Sequence, residues 1–457
     1  VTHPGELVFA CNLHVYPEFV AGDGQVVFCA EVECVLDAFL QASLVPLAEF
    51  HVEAGGGDAQ TTIVIDMFLF NKEVGASKVQ QQDLTQQLTD ALINKKIFHP
   101  NIEIKFITDP INSVYGGILP NNYRQLRQGG IDVIETDLTP LRASNPVWSG
   151  LWYICCQGLG NTTESGWLPN PFGDEKITLR SYFNLFNFKA NHRKTITVDT
   201  KDGWKTLVTS MNPHDGSSRH SNVALVVDGN TAIDVLKTEQ TVVMMSKGDV
   251  SGVVIGDFDG DKNLPQVQVL TEKAILDATL KTIQSAKKNE NIDLAMFYLS
   301  ERQIVKALIA AKERGVNVRV LLDPNKDAFG REKNGIPNRQ VASELNDAGV
   351  NVRWCNTQGE QCHSKMLIKS NAQQAEIILG SANFTARNLK NYNLETNLRV
   401  VSSTQADVFK DAQSFFNTAW SNLEGRNMSV EYAKYADESK LKYGVYRFME
   451  WSGWSTF

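Results

Sequence analysis

Apolar residues in this chain fall into two recurring arrangements: stretches with apolar positions three and four apart, and short runs rich in Val, Ile, Leu and Phe. The first spacing predicts helices with one buried face, the second strands covered on both sides. Val35-Leu36-Asp37-Ala38 and Ile275-Leu276-Asp277-Ala278 belong to two such helical stretches. Ile65-Asp66-Met67-Phe68 and Ile292-Asp293-Leu294-Ala295-Met296-Phe297 follow them as strands, so the two halves of the chain begin alike. The second half continues with a helix around 304–314, a strand over 316–322, a helix around 339–347 and a strand over 350–354. Strands alternating with helices predict α/β domains with largely parallel sheets covered on both faces.

The halves also share polar residues. His192, Lys194, Ser210, Asn212 and Asn222 recur as His363, Lys365, Ser381, Asn383 and Asn393, every pair at the offset 363 − 192 = 171. One His-x-Lys carries little information, whereas five matches at one register indicate a duplicated unit. Residues 365–368 and 377–379 read as strands. Side chains alternate along a strand, so a histidine and a lysine two positions apart face the same way and can address one phosphate.

His192-Arg193-Lys194 with Asp199 and Ser210-Met211-Asn212, and His363-Ser364-Lys365 with Gly380-Ser381-Ala382-Asn383, resemble the phospholipase D superfamily signature, most closely that of a bacterial secreted phospholipase D. Ser370 stands where the second copy would carry its aspartate, and Thr209 where the first would carry its glycine. The resemblance implies two similar α/β domains with mixed, largely parallel sheets, related by a pseudo-twofold axis, with the active site at their interface. It implies chemistry without a cofactor or metal: His192 as nucleophile and His363 as general acid and later base. Histidine suits both roles, since its ordinary pKa of about 6.5 lets either protonation state be populated. Lys194 and Lys365 would neutralise the phosphate oxygens, with Asn212 and Asn383 donating to them and Ser210 and Ser381 beside them. A carboxylate near Glu395 is implied to reach across to the nucleophile, with Asn222 orienting His363 more weakly. By spacing, the counterpart of Glu395 in the first half is Ala224.

The halves differ in the segment leading to the motif histidine. Residues 137–190 form an aromatic-rich insertion, and its Trp148, Trp152 and Trp167 are candidate walls of a substrate pocket. The expected organisation is a first domain over 1–243, a connection over 244–268 and a second domain over 269–457. Asp257 to Asn263 alternates acids as a calcium loop does, but Lys262 replaces the turn glycine and Gln268 the bidentate glutamate, so it reads as connection.

Composition narrows the partners. Among 457 residues, 42% are hydrophobic, enough for ordinary cores, and no apolar run approaches the ~18 residues of a membrane span. A net charge of −8 without Lys or Arg tracts speaks against nucleic acid as partner. Seven cysteines and a start at Val1 suit export, which gives an expectation of a secreted or periplasmic monomer that touches a lipid surface transiently. The leading expectation is a phospholipase D that converts phosphatidylcholine- or phosphatidylethanolamine-type lipids to phosphatidic acid and head-group alcohol, or transfers the phosphatidyl group to another alcohol. The alternatives are a cardiolipin or phosphatidylserine synthase-like phosphatidyltransferase, a nuclease of the same superfamily, and an inactive lipid-binding protein.

Overall fold

A computed structural model describes residues 26–29, 59–77, 80–201, 203–250, 265–455 and 457. The helix expected around Val35, Cys11, Cys34 and the Asp257–Asn263 segment lie outside the described residues.

The first domain contains β1 (Val26–Cys29), β2 (Ala59–Met67), β3 (Glu103–Thr108), β4 (Asp132–Glu135), the small hairpin β5 (Leu168–Pro169) with β6 (Lys176–Ile177), β7 (Lys194–Thr200), β8 (Gly203–Thr209) and β9 (Ala224–Asp228). Its sheet runs β1-β9-β8-β7-β2-β3-β4. The second domain contains β10 (Gln266–Thr271), β11 (Asn291–Met296), β12 (Asn317–Leu322), the hairpin β13 (Asp327–Ala328) with β14 (Arg331–Glu332), β15 (Asn351–Cys355), β16 (Lys365–Ser370), β17 (Gln374–Gly380), β18 (Thr396–Ser403) and β19 (Ser429–Glu431). Its sheet runs β10-β18-β17-β16-β11-β12-β15-β19, the first order repeated with one strand added.

Both sheets are mixed and flanked by helices, as expected of two related α/β domains. Parallel pairing is confined to β2-β3-β4 and β11-β12-β15, where helices make the crossovers, and the other neighbours are antiparallel, so "largely parallel" overstates it. The reason is local: each motif strand turns back tightly into its successor, β7 into β8 and β16 into β17, and such a connection admits only antiparallel pairing.

Apolar faces explain how the layers assemble. In the helix Arg302–Glu313, Ile304, Val305, Leu308 and Ala311 are buried on one side, and the Glu301 carboxylate caps the start by accepting from Gln303 N. They pack on Ile292, Leu294, Val318 and Val320 of β11 and β12. A further cluster joins Val208, Leu225 and Val227 of the first sheet to Met366, Ile377 and Leu379 of the second. The domains therefore share an apolar core, and that shared core holds the motif strands in a fixed relation. The helix Asn230–Met245 closes the first domain, and β10 pairs with β18 from Gln266 onward.

Among the described residues there are two disulfides, Cys155–Cys156 at the end of the helix Pro146–Cys155 and Cys355–Cys362, the latter joining β15 to the residue before His363.

Candidate active site

Each motif histidine lies two residues ahead of its strand and is held by the other domain. His192 N donates to Leu394 O (2.9 Å) and Leu394 N to Ala190 O (3.0 Å). In the mirror arrangement His363 N donates to Ser221 O (2.9 Å) and Ser221 N to Gln361 O (3.1 Å). Buried aspartates at the ends of the neighbouring strands fix the residue before each histidine. Asp109 Oδ2 accepts from Asn191 N (2.6 Å) and Asp323 Oδ2 from Cys362 N (2.8 Å).

The side chains repeat the exchange. His192 Nδ1 lies 2.9 Å from Glu395 Oε1, and His363 Nδ1 lies 3.0 Å from Asn222 Oδ1. Ser210 Oγ donates to Asn222 Oδ1 (3.1 Å), while Ser381 Oγ and Asn388 Nδ2 donate to Glu395. With their Nδ1 atoms engaged, both rings can turn Nε2 toward a substrate. This geometry corrects the spacing argument. Asn191 bridges Leu394 and Cys362 bridges Ser221, which makes Asn222, and not Ala224, the structural counterpart of Glu395. The short helix Ala386–Leu389 lies between Ser381 and Glu395, and the second half is two residues longer there, so a fixed offset mispairs Asn222 with Asn393.

Lys194 and Lys365 are buried beside their histidines, each Nζ donating to the carbonyl of its own histidine at 2.7 Å. Phe68 lies under His192 and Lys194, with its ring 4.7 Å from the imidazole and 5.1 Å from Nζ. Phe297 occupies the same place beside His363 (5.0 Å) and Lys365 (5.2 Å). The two rings close the floor of the site symmetrically. Asn212 Oδ1 accepts from Leu69 N (3.2 Å), and Asn383 is buried with its Oδ1 unpartnered. His220, also buried, sits 5.7 Å from the His363 ring with Nδ1 unpartnered.

Burial dominates the electrostatics. It lowers His192 to about 4 against the pull of Glu395, and lowers Lys194 to about 7. Burial and then the neighbouring Lys365 hold His363 well below its ordinary value; burial and then Lys194 do the same to Lys365. Burial alone would raise Glu395, but His192, Lys194 and Ser381 outweigh it and keep it ionised. Lys194 and Lys365 both lie beside Glu395, and a phosphodiester monoanion between them would stabilise each in its charged form. The same anion would restore protons to His363 and the lysines as it enters.

The motif aspartate of the first half stands apart from this chemistry. Asp199 caps the start of β2 by accepting from Thr61 N and Thr62 N (2.7–3.0 Å), so its replacement by Ser370 leaves the site unaltered. At Gly380 a Cβ would collide with the Thr396 carbonyl; Thr209 avoids this in the first half and donates to Val223 O (3.0 Å).

A cavity of about 680 Å³ opens beside Phe68. Leu69, Ile111, Val114, Ile118, Pro171 and Phe172 make it mostly apolar, and Phe329 of the β13–β14 hairpin reaches into it from the second domain. The insertion thus lines the cavity through Asn170, Pro171, Phe172 and Glu175, not through the tryptophans singled out by composition. Trp148 instead packs on Phe183 (5.6 Å) and Phe186 (5.4 Å), Trp152 is buried beside a separate polar cleft, and Trp167 is 65% exposed.

Phe68, Phe297, Asp109, Asp323 and His220 were not picked out by motif spacing. The echoed Met67-Phe68 and Met296-Phe297 could have found the two phenylalanines. The aspartates follow Thr108 and Leu322 at the ends of matching strands, and the echoed Asp109-Pro110 and Asp323-Pro324 could have found them.

Residues 279–420 match the family model described as cardiolipin synthase, phospholipase D-like domain. No curated protein matches the chain. Phosphatidylserine synthase of Haemophilus influenzae aligns over 93% of this chain and 92% of its own, at 10% identity and a TM-score of 0.59. Polyphosphate kinase of Porphyromonas gingivalis aligns over 93% of this chain at 11% identity and a TM-score of 0.48, and the chain spans about half (52%) of that protein. Nuc of Salmonella typhimurium, a phospholipase D family member, aligns over 37% of this chain and 99% of its own, at 26% identity and a TM-score of 0.29. Residues 279–420 thus match a phospholipase D-like domain, and the fold of the whole chain is similar to that of phosphatidylserine synthase.

Proposed function

We propose that the protein is a phospholipid head-group hydrolase and transferase that works through a phosphohistidine. His192 Nε2 attacks phosphorus, the bond to the head-group oxygen breaks, and that oxygen takes the Nε2 proton of His363. Glu395 stabilises the imidazolium that forms, as a buried carboxylate does for a catalytic histidine. Lys194 and Lys365 offset the charge on the non-bridging oxygens. His363 then removes a proton from water or an alcohol, whose oxygen displaces N from phosphorus. Water gives phosphatidic acid; an alcohol gives a new phospholipid. Asn212 and Asn383 are proposed donors to the phosphate, with Ser210 and Ser381 holding the orienting residues.

The observation that carries the lipid reading is the apolar cavity ending at Phe68, in ring contact with His192. Its volume and lining suit acyl chain better than nucleoside. A net charge of −8 without Lys or Arg tracts also disfavours nucleic acid. The second reading, a phosphatidyltransferase with alcohol as the preferred acceptor, is favoured by the family match and by the fold shared with phosphatidylserine synthase. The Cys355–Cys362 disulfide supports, as part of this proposal, an oxidising compartment.

The test is incubation with phosphatidylcholine, phosphatidylethanolamine, bis(p-nitrophenyl) phosphate and DNA, with and without glycerol. Release of choline or ethanolamine supports the proposal, and formation of phosphatidylglycerol measures transfer. Cleavage of DNA with no lipid turnover would replace it by the nuclease reading.

A further inference from the structure

Two helices that meet end to end each leave an apolar stripe in solvent. In the helix Pro146–Cys155, Val147, Leu151 and Ile154 are exposed, Val147 by 84% and Ile154 by 88%. In the helix Lys440–Ser452, Leu441, Val445 and Phe448 recur at the same spacing and are followed by Trp451, 82% exposed. Positions i, i+4 and i+7 share one helix face, so each set is a continuous stripe and not scattered surface. The opposite face of the second helix is anchored: Tyr446 is fully buried, and its hydroxyl donates to Ser300 O at 3.0 Å.

The helices meet at their ends. Gly453 lies against the backbone of Ser144, and Trp454 packs on Trp148 (6.4 Å) and Phe186 (6.2 Å). Three residues beyond Trp454, Phe457 is buried and begins a path of rings. Phe457 touches Tyr298 (6.1 Å), Tyr298 touches Phe297 (4.1 Å) and Phe297 touches His363 (5.0 Å). Buried rings thus connect the end of the second helix to the floor of the proposed active site.

Charge chooses between possible occupants. The helix Lys440–Ser452 carries Lys440, Lys442 and Arg447; Lys442 pairs with Asp437 (2.6 Å), which leaves Lys440 and Arg447 as its exposed cations, and its one acid, Glu450, turns inward to accept from Ala386 N (3.2 Å). The helix Pro146–Cys155 carries no Asp, Glu, Lys or Arg. Cations bordering Trp and Phe would repel their own copies across a twofold contact, whereas they complement an anionic bilayer. We infer that these two helices form a docking face for an anionic lipid bilayer, bringing the site to its substrate. The inference rests on the lipid reading above and deepens it.

The full chain should sediment with vesicles of phosphatidylcholine and phosphatidylglycerol, and less with phosphatidylcholine alone. The pair Phe448→Ser with Trp451→Ser, and separately Val147→Ser with Ile154→Ser, should each weaken partition by about tenfold or more through lost apolar burial. Cleavage of soluble bis(p-nitrophenyl) phosphate should stay unchanged. Should either apolar pair misfold, Lys440→Glu with Arg447→Glu tests the face through exposed positions only, and it should abolish the preference for phosphatidylglycerol. Folded variants that bind as the parent does, a parent that ignores vesicles, or a parent dimer that these changes convert to monomer would each overturn the inference. Binding is read without turnover. A chain that binds vesicles through these residues yet cleaves no phospholipid would sink the lipid-cleavage reading and leave the docking face standing.

Discussion

Glu395 sets both carboxylate oxygens within 3.0 Å of His192 Nδ1, from the opposite domain. Its counterpart across the pseudo-twofold axis, Asn222, offers His363 only an amide oxygen. A carboxylate stabilises an imidazolium far better than an amide does, so the two histidines, alike in sequence, differ in what they can become. Glu395→Gln should therefore lower kcat by about 10²- to 10⁴-fold with little change in KM. Steady-state kinetics on a soluble phosphodiester checks this, and an equal loss in KM would assign Glu395 to binding.

Asn222→Asp should shift the pH profile. His363 must hold a proton to act as acid, and activity that depends on a protonated group is lost as pH rises through its pKa. A carboxylate beside Nδ1 raises that pKa, so the basic limb of kcat should move to higher pH. A limb that stays in place would show that another group supplies the proton.

The lysines should trade stability for activity. Lys194 is lowered to about 7 by burial, whereas the unfolded chain holds its proton up to about 10.5. Between those values the unfolded state binds more protons, so this site costs more stability as pH falls from about 10.5 toward 7. Lys194→Met should raise the free energy of unfolding at pH 8 by on the order of 1–3 kcal/mol while reducing turnover about a hundredfold. Urea unfolding of the variant checks the first part, and a clear loss of stability would contradict it.

The chemistry proposed here draws its cations from lysine, so turnover should persist in excess chelator. A calcium-reversible loss at unchanged folding would move attention to Asp257–Asn263.

Filling the cavity should separate substrates. Ile118→Trp is expected to reduce turnover of long-chain phospholipid by about tenfold or more while sparing bis(p-nitrophenyl) phosphate, because only the former needs the apolar space. Equal losses on both would place the cavity outside the lipid path.

The alternation of helix and strand was legible from residue patterns because the strands are rich in buried apolar residues, with Ile292, Leu294, Ala295 and Met296 in one and Val318, Val320, Leu321 and Leu322 in the next, interrupted at Asp293 and Arg319, which pair with each other. The histidine and lysine pairs were legible because duplication preserved their spacing. What escaped depended on contacts distant in sequence. Asp109 meets Asn191, and Asp323 meets Cys362, through the sheet and not along the chain. The pairing of Glu395 with Asn222 was hidden by two additional residues in one copy. Tryptophan content pointed to the insertion but not to its part in the cavity, since Trp148 serves the packing of the insertion itself.

The most direct test of the account is the identity of the covalent intermediate. A diester with a p-nitrophenolate leaving group needs no acid for departure, so His363→Ala should still form the intermediate and, lacking the base, hydrolyse it slowly. Rapid quenching with labelled substrate should then place phosphorus on a peptide containing His192. Label on His363, recovered from His192→Ala instead, would contradict the assignment of roles.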